Sequence, residues 1–290
     1  MQVGSGSREE ALMLLAAFLP KAGKSYTRNR NFDLGAGQHK HVSQLSAYIK
    51  RRIITEEDVL RKVLSAHSLN EAGKFIDEIF WRTYFKGWLE SRPHIWVQYC
   101  ADVHHLTHEL QTQSGLRDRW AAACLGETGI DCFDAWAKEL AETGYLHNHA
   151  RMWFASIWVY TLQLPWQLGS DFFLRHLLDG DAASNTLSWR WVVGLHSVGK
   201  TYLARAENIH RFTNGRFAPK GLAQVAPPLN DTASTMAPKI IDPPNSYLAG
   251  RKTGLLLHSD DLNIAHLTHH SECIASAAYR PVDAGTMLVS

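Results

Sequence analysis

Cysteine is scarce, and the four present (Cys100, Cys124, Cys132 and Cys273) include no CxxC pair. That excludes a disulfide-stapled scaffold and points to a reducing, intracellular setting. No apolar run is long enough to cross a bilayer as a helix. The early run Ala11 to Pro20 follows Glu9 and Glu10 rather than a basic stretch, so it reads as a first amphipathic helix, not a leader, and a cytoplasmic protein is expected. Neither sign of charge is in surplus: 30 Lys and Arg against 28 Asp and Glu leave a net charge of +2. This neither demands nor excludes a nucleic-acid partner, because a local basic patch vanishes in a balanced total. Alternating β-branched runs are missing before residue 217, which argues against a sheet and for an all-α fold.

What is present is apolar and aromatic. Hydrophobic residues make up 45% of the 290, and ten are tryptophan, a residue spent on thick helical cores or on stacking planar ligands. Thr55-Glu56-Glu57-Asp58 reads as a capped helix start. Phe75, Ile79, Trp81, Phe85 and Trp88 recur at helical spacing, Asp131 is placed to cap a further helix, and another is expected from about Leu146 to Leu162, ending near Pro165. Ser170 opens DFFLRHLL, and Asp181 can cap the run that holds Trp189 and Trp191. The stretch from Ser25 to His41 reads as an ordered loop. After Phe217 prolines accumulate, so the expected organisation is a helical domain over 1–217 and a Pro-rich linker or tail over 218–290, within which 254–258 is a candidate lone strand.

The most informative segment is YLHNHARMWFASIWVYTLQLPWQLGSDFFLRHLLDGDAASNTLSWRW, residues 145–191. On a helix, Asn148, Arg151 and Met152 share one face as an amide, a guanidinium and a thioether. Asp179 and Asp181, flanking Gly180, are natural partners for a buried Arg151; an ordinary surface salt bridge is the plainer alternative. The string resembles the WxHNRxRM...W...DGDxxxNxxxWxW signature of the photolyase and cryptochrome family, in order and at the same spacings. Tyr26, Arg30 and VSQLSAYIKRRIIT at 42–55 are similar to the family's Y...R...TSxLSPYLxxGxxS stretch, with Val42 and Gln44 departing from it. KFIDEIFWRTYFKGWLESRP at 74–93 is similar to the NELxWREFYxxL helix, with Phe75 in place of a frequent Trp.

The resemblance covers roughly residues 26–217 and implies the all-helical, FAD-binding catalytic domain without the antenna domain that usually precedes it. It implies FAD contacts from Tyr26, Ser43, Gln44, Leu45, Ser46, Phe75, Arg82, Tyr145, Asn148, Arg151, Asp179, Asp181 and Asn185, with Arg151 and Asp179 paired beside the flavin and Asn185 facing N5. A lesion pocket follows from Arg30, Glu78, Trp81, Asn148, Met152 and Trp191. Asn148 and Met152, where a (6-4) enzyme would show histidines, favour the cyclobutane pyrimidine dimer. The implied activity is light-driven repair of UV-damaged DNA by a monomer without antenna chromophore; a cryptochrome-like photoreceptor is the alternative. Of the family's three electron-transfer tryptophans, Trp189 and Trp166 match the first two, while Ala123 stands at the third with Trp120 one turn away and Trp158 nearby.

Two further groups carry weaker readings. His104, His105 and His108, and later His266, His269, His270 and Cys273, cluster without a CxxC or HExxH frame, so no metal is expected. Lys200, Arg205, Arg211 and Arg216 are candidates for DNA phosphates, or simply a solvated basic face.

Overall fold

The computed structural model describes residues 6–233, 236–241, 253–263 and 273–279. Among the described residues twelve α-helices run in chain order: α1 Arg8–Phe18, α2 Lys24–Asn29, α3 Ser46–Lys50, α4 Glu56–Ala66, α5 Leu69–Glu90, α6 Pro93–Thr112, α7 Ser114–Leu125, α8 Asp131–Thr143, α9 Asn148–Ser156, α10 Trp166–His176, α11 Ala182–Val192 and α12 Ala206–Phe212. The all-α expectation holds for this body of the chain. The tail is not wholly irregular, however: β1 Thr253–His258 pairs in parallel with β2 Cys273–Tyr279, so the 254–258 run is a strand with a partner. Of the second histidine and cysteine cluster, His266, His269 and His270 lie outside the described residues.

By internal contacts the chain forms two interleaved units. One comprises Arg28–His41 and Trp81–Lys239; the other comprises Gln2–Thr27, Val42–Phe80 and Ile240–Ser290. In the first, α10 packs on α6, α8 and α11, and α9 on α8 and α11. The core between them is aromatic: Trp136, Trp153, Trp158, Phe133, Phe154 and Phe173 are all buried, each contributing about 1.5–3 kcal/mol or more by leaving water. Phe133 and Phe154 stack with centroids 4.1 Å apart. The helix expected to reach Leu162 instead stops at Ser156 and widens into a π turn over Ile157–Thr161. The Trp158 indole N–H, just inside that turn, donates to the Pro165 carbonyl at 2.9 Å.

Capping chemistry explains most helix starts and corrects one. Asp181 accepts from the Ser184 amide at 2.8 Å and opens α11 as expected. Asp131 is not a cap, because Ile130 holds that position without a side-chain bond and the Asp131 carboxylate turns back to the Cys132 amide. α10 starts at Trp166, one turn before Ser170, since Pro165 presets the entry. Residues 24–29 are helical as α2, so the ordered loop begins only at Arg30. Asp33 anchors that loop: its Oδ2 accepts from the Trp136 indole and from the Arg216 guanidinium, each at 2.9 Å. Arg216, although exposed, therefore spends its Nη2 on an interior carboxylate.

The second unit has its own core of Ala11, Leu15, Phe18, Ile49, Ile54, Val59, Val63 and Phe75. Thr55 and Asp58 form a reciprocal capping box at the start of α4, at 3.1 and 2.9 Å. Thr55→Ala is expected to lower stability by about 1 kcal/mol, read as a shift of the urea midpoint at unchanged slope. The tail returns to this unit, where Asp260 pairs with Lys50 at 2.5 Å and Asp261 with Arg52 at 3.1 Å.

Candidate functional site

In the first unit α9 turns Arg151 inward. Its Nη2 donates to both carboxylate oxygens of Asp179 at 3.1 Å, its Nε donates to the Leu146 carbonyl at 2.8 Å, and its guanidinium lies 5.9 Å from the Tyr145 ring centroid. Asp179 is 8% exposed, so the pairing is not the surface bridge that the sequence alone left open. Two residues on, the buried Asp181 carboxylate faces Arg82 Nη1 at 3.6 Å and Lys86 Nζ at 3.5 Å. Gly180 between them is required by space: a Cβ would stand 2.9 Å from the Leu174 carbonyl oxygen and 3.0 Å from that of Leu177. Gly180→Ala must therefore displace both aspartates together. The expected result is loss of ligand binding with helix content retained, checked by circular dichroism beside flavin absorbance.

Asn185 and Trp189 lie one turn apart on α11, and both meet α10. The Asn185 amide donates to the Ser170 carbonyl at 2.8 Å and hydroxyl at 3.0 Å, which leaves its Oδ1 as the end that can accept from a ligand N–H. The outer edge of the Trp189 ring lies against Gly169, where a Cβ would meet it at 2.3 Å. Trp166 is one turn before Gly169 on α10, where its ring stacks on Tyr99 with centroids 5.6 Å apart. Trp120, half-buried on α7, has no ring within stacking reach among the described residues. The structure does not bring it to Trp166.

A second set in the same unit stays accessible. Asn148 is exposed; Met152, Arg30 and Trp191 are partly buried, and Trp191 packs on Tyr202 at 5.8 Å. Trp81 is 48% exposed on α5, flanked by Tyr84 and Phe85 at 5.4 and 5.7 Å. The spacing put all three on one face of α9, and the burial along that face is graded: Asn148 is exposed, while Arg151 and Met152 are partly buried.

In the second unit Tyr26 and Phe75 pack edge to face at 5.1 Å against Phe18, inside the core. Leu45 is buried at the N-cap of α3, and the Ser43 hydroxyl accepts from its amide at 3.4 Å. Gln44 adopts a left-handed φ of 54°, a conformation that a non-glycine residue holds only where the surroundings enforce it. Glu78 is partly buried on α5. Sequence reasoning missed Lys86, which its i, i+4 spacing from Arg82 would have flagged, and Ser170, for which no signal exists. It also missed a buried cluster of Asp33, His39 and Glu139, in which His39 Nε2 and a Glu139 oxygen are 2.7 Å apart. Asp33 there is already occupied by Trp136, Arg216 and the Gly35 amide.

Residues 75–221 match the family model described as the FAD binding domain of DNA photolyase. The chain belongs to this family. The photolyase-type domain is 29% identical over 189 residues to a deoxyribodipyrimidine photo-lyase of Alkalihalophilus pseudofirmus, covering 64% of this chain and 38% of that protein. It is 31% identical over 198 residues to the one of Thermus thermophilus, covering 64% and 42%. The chain thus spans about two fifths of the length of the curated relatives it matches. Its fold matches a class III photolyase from Agrobacterium tumefaciens with a TM-score of 0.56 at 24% identity, over 72% of this chain and 43% of that one. A cryptochrome from Synechocystis matches with a TM-score of 0.60 at 19% identity, over 73% and 44%.

FAD is the cofactor of this domain family. The residues present fit it: a buried wall holding a pinned guanidinium, a carboxylate beside two cations, and an amide with one acceptor to spare suits a planar ring with N–H and C=O edges. Among the described residues no helix is long and apolar enough to cross a membrane.

Proposed function

We propose that this domain performs light-driven repair of cyclobutane pyrimidine dimers in DNA. Reduced FAD, when bound, supplies the excited one-electron donor whose electron opens the cyclobutane ring and is then recovered. The chain's part is to hold and to exclude. Arg151, Asp179, Asp181 and Asn185 would orient the ring, and Tyr26, Ser43, Gln44, Leu45, Ser46, Phe75, Arg82 and Tyr145 the rest of the cofactor. Glu78, Trp81, Asn148, Met152, Trp191 and Arg30 would receive the flipped-out pyrimidines.

The observation that supports repair most directly is Trp81. A large indole left 48% exposed on the same helix as the charges that meet buried Asp181 is a platform for a stacked base rather than a core residue. Blue-light restoration of thymine in an oligonucleotide with one cis-syn dimer tests it, using reduced protein and a dark control. Trp81→Ala should weaken lesion binding by about 1–3 kcal/mol, roughly 5- to 150-fold. Absence of repair with flavin bound and reducible would defeat the proposal and leave a light sensor of the cryptochrome kind.

A further inference from the structure

Along α5 the aromatic residues Trp81, Tyr84, Phe85 and Trp88 stand at i, i+3, i+4 and i+7, on one face of the helix. A stripe with that spacing ordinarily packs into a core, and its inner end does: Phe85 and Trp88 pack on Leu89, Ile95 and Leu187. Its outer end does not. Tyr84, like Trp81, is nearly half exposed, at 47%. The Tyr84 ring is nevertheless held in place. It meets Trp81 at 5.4 Å with planes at 86°, His196 at 6.1 Å and 83°, and Phe85 at 5.6 Å. His196 is itself seated against Trp88 at 4.6 Å. The turn that carries it is closed by the Leu195 amide donating to the Arg190 carbonyl at 2.8 Å and the Lys200 amide donating to the Ser197 carbonyl at 2.9 Å. A ring fixed by near-perpendicular neighbours and still open to solvent has the form of a stacking platform.

We propose that Tyr84 is a subsite for the base next to the dimer, and that it makes single-stranded DNA the preferred substrate. This inference rests on the repair reading above, in which Trp81 receives the lesion, and deepens it by naming the form of the DNA. Trp81 and Tyr84 stand nearly perpendicular, so a lesion lying on one and a base lying on the other cannot stay stacked on each other. The strand must turn between them. In a duplex that turn breaks a further base pair beyond those of the dimer, whereas a single strand has no pair to break.

The charges beside the ridge suit a nucleic-acid backbone. The Arg92 guanidinium lies 4.3 Å over the Trp88 ring, and Lys200 is exposed at the end of the His196 turn. The subsite carries no demand for a particular base, because every base has a face to offer a tyrosine ring.

Titration of the FAD-loaded chain in the dark tests the subsite, with a cis-syn thymine dimer presented as a bare dinucleotide, within a longer single strand, and within the same strand paired to its complement. The wild type should bind the single strand more tightly than the duplex. Tyr84→Ala should weaken binding of the single strand roughly 5- to 150-fold, the loss of one stacked base. It should leave affinity for the dinucleotide, which has no neighbouring base, unchanged. Tyr84→Phe keeps the ring and should match wild type in all three. Tighter binding of the duplex by the wild type, unchanged single-strand affinity in Tyr84→Ala, or an equal loss of dinucleotide binding in that variant would each overturn the subsite. A wild-type chain that binds the dimer dinucleotide no better than the undamaged one would overturn the repair reading instead, so the two failures are separable.

Discussion

Arg151→Leu should cost about 3 kcal/mol of stability and abolish flavin retention. The cost follows from burial: Asp179 is 8% exposed and loses two guanidinium contacts at 3.1 Å, and breaking such a pair by removing one partner costs about 3–5 kcal/mol. Arg151 keeps 23% of its side chain exposed, which places the expectation at the lower end. The lost bond from Arg151 Nε to the Leu146 carbonyl adds to the penalty at the entry to α9. The double variant Arg151→Leu with Asp179→Leu separates stability from binding. Replacing both partners by apolar side chains of similar volume removes the stranded charge, so the urea midpoint should recover most of the way to wild type. Flavin absorbance should not recover, because no guanidinium remains at the ring wall. A double variant that regains both would show that the pair is structural and that the ring is held elsewhere.

The same residues show what a sequence can and cannot carry. The Asp179-Gly180-Asp181 hinge, the Asp181 cap and the Thr55 box were legible because each acts within a few residues of itself, where spacing fixes geometry. The shared face of Asn148, Arg151 and Met152 was legible, since i, i+3 and i+4 positions coincide on a helix. Asp33 was not, because its partners Trp136 and Arg216 lie 103 and 183 residues away, and nothing local distinguishes it from a turn aspartate. Trp120 shares a face of α7 with Ala123, as three-residue spacing requires, but nothing local says which helix packs against that face. The rings that do reach Trp166 come from α6, a neighbour only once α6 and α10 have packed. Local signals therefore carried the caps and the spacing of the charged groups, and tertiary packing decided which rings meet across helices.

Acid should dismantle the site from α9 inward, in a window set by His147. That residue is 1% exposed and caps α9, its Nδ1 accepting from the His149 amide at 3.2 Å. Burial pushes its pKa from 6.5 down to about 3, outweighing the opposite pull of Asp33, and burial lowers His149 as well. The sign follows from proton counts. Above about pH 6.5 the imidazole is neutral in both folded and unfolded chains and has no effect on the balance. Below it the unfolded chain takes up a proton that the folded one refuses, so stability falls as pH falls, by roughly 1.4 kcal/mol per unit, until about pH 3. Protonation also ends the cap, since Nδ1 can no longer accept. Urea midpoints taken from about pH 7 to about pH 4 should therefore drop steadily, with flavin release following them, because the first turn of α9 carries Asn148 and Arg151. His147→Asn retains a side-chain acceptor at the cap but cannot titrate, so its stability should start near wild type and decline less steeply. A decline as steep as wild type would assign the acid sensitivity to another group and remove His147 from the account.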